Sequence, residues 1–192
     1  MSWEVAIYGE LKFAPGEVEK WKNMIIPEKR FEVFCTPDYN YLKYFPFKPK
    51  TVEACLRNFP EEDGYGKDDY GLFINPIFEK EKFIIHGCIH KDSYSKLRAI
   101  IAILFGSASE FKAEGNLVFA GITIDIAECL EVKNGELRRF DIQEDIRDLA
   151  WSLVCVEEGR KKPAGEFDEE AMISAQKKPK PIFEQILKKA YQ

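Results

Sequence analysis

Histidine is scarce in this chain. The 192 residues contain two, alongside three methionines and three tryptophans. Both histidines fall in His86-Gly87-Cys88-Ile89-His90, so any imidazole chemistry is confined to one pentapeptide. Long apolar runs are missing as well. The longest, Ala99 to Phe105, is about a third of the ~20 residues a membrane helix requires. The start, Met1-Ser2-Trp3-Glu4-Val5, has neither the basic region nor the apolar stretch of a secretory signal. No Asn-x-Ser/Thr acceptor occurs. Gly-x-Ser-x-Gly and a phosphate loop are absent too, which removes the commonest nucleophile and nucleotide signatures.

Cysteine is present in an odd number. Cys35, Cys55, Cys88, Cys129 and Cys155 are spread through apolar contexts. That pattern points to reduced core thiols and a cytoplasmic protein, since disulfide frameworks use even, clustered sets. The net charge is −5. A general nucleic-acid binder needs a cationic stripe for phosphates, so this class is disfavoured. Apolar residues make up 45% of the chain and charged ones 32%. That mixture supports one folded domain.

The periodicity predicts an α+β domain with a mixed or mostly antiparallel sheet and helices on one face. Trp3 to Phe13 alternates as a strand, with Val5, Ile7, Gly9, Leu11 and Phe13 on one side. Tyr70–Ile74 and Lys82–His90 read as further strands, separated by Asn75-Pro76. Thr51 is placed to cap a helix that Pro60 stops. Leu97, Ile100, Ile101, Leu104 and Ala108 mark the most apolar helix, which should lie deep against the sheet. Asn134-Gly135 is the strongest hairpin turn. A two-residue turn pairs Lys133 with Glu136, Val132 with Leu137 and Glu131 with Arg138. Asp141 and Glu144 resemble a capping box for a helix over Ile142–Glu158. The expected organisation is a domain over 1–160, followed over 161–192 by a linker and a C-terminal helix packed on it.

Ile7-Tyr8-Gly9-Glu10-Leu11 and Ile85-His86-Gly87-Cys88-Ile89 share Ile-x-Gly-x-aliphatic at an offset of 78. Two related β-α-β modules, over 1–60 and 70–140, account for this spacing.

Three constellations bear on function. On a strand, His86, Cys88 and His90 share a face, and they are zinc-ligand types. This gives one alternative: a zinc-dependent enzyme. Glu131-Val132-Lys133 resembles the Glu-x-Lys of metal-dependent nucleases, but Asp125 is too near in sequence, and hairpin charge pairing explains the residues better. The third is a surface. Tyr39, Tyr41 and Tyr44 precede an acidic loop carrying Glu61, Glu62, Asp63, Tyr65, Asp68 and Asp69. Aromatic anchors beside charge suit a protein partner, because rings supply contact energy and charges supply steering. The favoured expectation is therefore a non-catalytic, acidic, protein-binding protein without a cofactor. An inhibitor or immunity protein acting on a basic partner such as a toxin fits that description.

Overall fold

The computed structural model describes residues 4–27, 51–62, 73–121, 126–161 and 178–192. Six strands form one sheet: β1 (Glu4–Lys12), β2 (Phe73–Phe78), β3 (Lys82–His90), β4 (Glu114–Gly121), β5 (Ala127–Lys133) and β6 (Glu136–Asp141). The helices are α1 (Glu17–Lys22), α2 (Val52–Glu62), α3 (Lys91–Ser107), α4 (Arg147–Lys161) and α5 (Pro179–Ala190). The strand order is β2-β3-β1-β4-β5-β6, and every pairing is antiparallel. β3 and β4 therefore run parallel on either side of β1, joined through α3. This is a split β-α-β arrangement.

The α+β class and the antiparallel sheet agree with the expectation. The helix cover is on two faces, where the alternation suggested one. Val5, Ile7, Leu11 and Phe13 join α1, α2 and α3 in one core. Ala6, Tyr8, Cys88, Val118, Ala120 and Cys129 join α4 and α5 in a second. The residues of this second face are small or amphipathic, so their hydropathy alternation reads as half-solvated. Small side chains nonetheless make a floor that a helix can approach closely.

The two Ile-x-Gly motifs meet in the middle of the sheet. Ile7 pairs with Gly87 and Gly9 with Ile85, about a central Tyr8–His86 pair. The first core is dominated by rings. Trp21 is fully buried, with Phe83 at 4.9 Å and Phe13 at 5.2 Å between ring centroids. Its indole Nε1 donates to Ser107 Oγ at 2.8 Å, which satisfies the polar atom. Residues Ile100 to Phe105 of α3 are all buried, as expected of the most apolar helix.

Several boundaries move. β2 runs through Asn75-Pro76 because it is an edge strand, where a missing N–H is tolerated. α2 passes Pro60 to reach Glu62, so Glu61 and Glu62 end a helix and do not belong to a loop. A proline loses its own bond to the fourth residue back and crowds the preceding turn, but Pro60 lies two residues from the end, so little helix follows the disturbance. Thr51 caps this helix as expected, its Oγ1 accepting from Ala54 N at 3.2 Å. The capping box at Asp141 and Glu144 does not form. The Ile142 N–H donates to Ala127 O at 2.7 Å, keeping the chain extended, and α4 starts only at Arg147. Asp145 takes the cap instead, accepting from Arg147 N at 3.0 Å.

The β5–β6 hairpin has the expected register: Lys133 with Glu136, Val132 with Leu137, Glu131 with Arg138. Asn134 and Gly135 both have positive φ, 54° and 79°, as a turn of this hand demands. Glu128 interrupts the apolar phase of β5 yet is buried. Its carboxylate pairs with Arg98 Nε at 2.8 Å and with Arg139, tying α3 to the sheet edge. Among the described residues, Cys55, Cys88, Cys129 and Cys155 form no disulfide with one another. Among the described residues no helix is long and apolar enough to cross a membrane.

Candidate functional site

Opposed residues in an antiparallel sheet share a face, so the register orders the second face into rows. Ala6 and Ala120 stand with Cys88 at one end, under α4. The next row is His86, Tyr8, Val118, Cys129 and Phe140. Then come Glu10, Asn116, Glu131 and Arg138. Lys12 with Glu114, and Lys133 with Glu136, form the outermost row. The face thus grades from apolar to charged along the strands, and α5 lies across the transition.

Two polar clamps hold α5 there. At its start, Lys180 Nζ lies 2.9 Å from Glu10 Oε2. Lys82 Nζ reaches the same oxygen at 3.1 Å, and the Tyr8 hydroxyl donates to Glu10 Oε1 at 2.7 Å. Beyond its end, Asn116 Nδ2 donates to the Tyr191 hydroxyl at 2.6 Å, which donates to Glu131 Oε1 at 2.8 Å. Between the clamps, Ile182, Phe183 and Ile186 are buried, with the Phe183 ring 4.7 Å from that of Tyr8. A groove of about 350 Å³ opens beside Phe183 over Glu10, Asn116 and Glu131. Gly115 forms part of its wall at φ +155°, where a Cβ would sit 2.0 Å from the Glu10 carbonyl oxygen. Glycine is what allows β1 and β4 to close up at this point.

Glu10, Lys180, Cys129 and Tyr191 are each stabilised in one state. Burial raises the Glu10 pKa, but the bonds from Lys180, Tyr8 and Lys82 outweigh it, and the net shift is downward. The Lys180 ammonium is held up by its bond to Glu10. Burial pushes the Cys129 thiol up to about 12, against a weaker lowering by Asn116. Tyr191 is raised by burial first, then by donating to the Glu131 carboxylate.

The groove contains none of the residues of the sequence-predicted partner surface. Tyr39, Tyr41, Tyr44, Asp63, Tyr65, Asp68 and Asp69 lie outside the described residues, as do the side chains of Glu61 and Glu62. The Tyr–Glu groove was not anticipated. Tyr8, Glu10 and Lys12 read as ordinary polar-face positions, and nothing in the chain announces that Tyr191 returns to Glu131, 60 residues away. Glu131 and Arg138 are opposite in register, yet their charges go to other partners: Glu131 to Tyr191, and Arg138 to Glu136 at 3.4 Å. Tyr8, Glu10 and Lys12 share a phase on their strand, as Glu131 and Lys133 do on theirs, and only the pairing register sets the two groups on one face.

For the metal alternative, His86 and Cys88 share the second face and are both buried. The His90 side chain lies outside the described residues. His86 Nε2 is 2.9 Å from Asn75 Nδ2 on the neighbouring strand. Among the described residues no three His, Cys, Asp or Glu side chains converge as a metal-ligand set. Compared with known proteins, the chain matches no family model, no curated protein and no solved structure.

Proposed function

We propose that this is a non-catalytic binding protein that captures a basic protein partner, in the manner of an inhibitor or immunity protein. The observation that carries this reading is the acidic body of the chain, net −5, whose Glu10 and Glu144 meet the lysines of its own C-terminal helix; three groups around the groove add to it. Proton-transfer catalysis near neutral pH wants groups whose pKa lies near neutrality. Glu10 is shifted down, and Cys129 and Tyr191 are shifted up, so each moves away from that range. A thiol at about 12 is also a poor nucleophile at pH 7. The net charge of −5 favours a cationic partner through long-range attraction.

A pull-down with the immobilised protein is the test. A basic protein should be retained at low salt and released as salt rises. The triple substitution Tyr39→Ala, Tyr41→Ala, Asp69→Ala should abolish retention if the tyrosine and acidic-loop surface carries the contact. Retention indifferent to salt would sink the electrostatic reading. Elemental analysis closes the other side: stoichiometric zinc that disappears in a His86→Ala, His90→Ala variant would overturn the non-catalytic assignment.

A further inference from the structure

The body of the protein already holds one basic amphipathic helix, its own. Residues 178–192 carry Lys178, Lys180, Lys188 and Lys189 against Glu184, a net +3 that leaves −8 on the remainder. This segment docks by charge at its ends and by apolar side chains between. Lys180 meets Glu10 at 2.9 Å and Lys189 meets Glu144 at 3.9 Å. Ile182, Phe183 and Ile186 fill the middle against the row of Tyr8, Val118 and Cys129. The acidic body is thus complementary to a helix with lysines flanking an apolar stripe.

We infer that this face is where the basic partner inserts an amphipathic helix, and that α5 is an internal stand-in which yields to it. The inference rests on the basic-partner reading above. Its physical basis is the modest hold on α5. The Lys189–Glu144 pair is exposed and contributes little, and Lys180 reaches Glu10 from a half-exposed position; a terminal helix that buries only Pro179, Ile182, Phe183 and Ile186 belongs to the least stable part of a fold. A tethered helix competes at an effective concentration on the order of millimolar. Any weakening of its clamps therefore strengthens an incoming helix in proportion.

A fluorescein-labelled peptide of residues 178–192 serves as the probe, titrated into the full-length protein. Lys180→Ala with Tyr191→Phe loosens the helix in place, so the peptide should bind this variant about tenfold tighter than the unsubstituted chain. Adding Glu10→Gln should remove most of that gain, because the peptide retains its lysine. Hydrogen exchange on the unsubstituted chain gives a second readout that does not depend on any variant folding. Excess peptide should strip protection from the amides of residues 182–187. Equal binding to both chains, no saturable binding, or unchanged protection overturns the inference. Dimerisation of the double variant would identify α5 of a second copy as the occupant and overturn the partner assignment. If a basic partner is captured while α5 stays protected in the complex, this inference fails and the binding role stands. If no basic partner is captured at all, the binding role itself fails.

Discussion

The two faces of the sheet are made from the same strands by opposite means. The first is closed by large side chains: Trp21, Phe83, Phe119, Ile7, Leu11 and Leu104 are all fully buried. Its polar atoms are few and are satisfied inside the fold, as in the Trp21–Ser107 bond and the Glu128–Arg98 pair. The second is floored by alanine, cysteine, valine and one tyrosine, and it grades into carboxylates, lysines and an asparagine. A face of the first kind stabilises the domain through buried apolar area. The second face is covered by α4 and by α5, and α5 is held by a short apolar stripe and two polar clamps. On the binding role proposed above, α5 is the part of that cover that exchanges, so stability and recognition would fall on opposite sides of one layer of backbone.

Breaking the first face should have the larger effect. Trp21→Ala removes the ring against which Phe13, Phe78 and Phe83 pack. Large-to-small core changes of this kind cost about 3–5 kcal/mol. The urea midpoint should fall accordingly, with the whole domain unfolding earlier and all probes coincident. Phe183→Ala removes a ring that is also buried, but on α5. Here the helix detaches before a cavity costs its full amount, so the global loss should stop at roughly 1–2 kcal/mol. Hydrogen exchange separates the two: α5 amides should lose protection in the Phe183 variant while those of β1 and β4 keep theirs. Equal global losses from the two substitutions would erase the distinction between the faces.

The legibility of the two faces differed for the same physical reason. The first was written in alternation, Val5-Ile7-Leu11-Phe13, and in the apolar run of α3, both of which periodicity detects. The β5–β6 register was equally legible, because a two-residue turn with Asn134-Gly135 fixes every pairing that follows. The second face was hidden because Ala6, Tyr8 and Glu10 are a small, an amphipathic and a charged residue, with no common hydropathy. Its clamps join residues 170 and 60 positions apart, Lys180 to Glu10 and Tyr191 to Glu131, and only the folded register brings them into reach. The start of α4 was misplaced because a single sheet bond, Ile142 to Ala127, overrode a good capping sequence.

The smallest effect expected is in acid, and it probes the second face alone. The Glu10 pKa lies below its ordinary value of 4.5 in the folded protein. A carboxylate depressed on folding contributes stability that is complete above the unfolded value and disappears as pH falls through the folded one. Protonating Glu10 ends the charge-assisted bonds from Lys180 and Lys82, and the first of these ties the start of α5 to β1. As pH drops below about 4.5, α5 amides should therefore exchange faster while the first core keeps its protection. The Asp145 carboxyl that caps α4 is lowered to about 2 by its bonds from Arg147, so α4 keeps this contact down to that range. In a Glu10→Gln variant the same acid step should be missing, because the side chain no longer titrates. An acid response that persisted in that variant would place the control of α5 on another carboxylate, and Glu131 under Tyr191 would be the next to substitute.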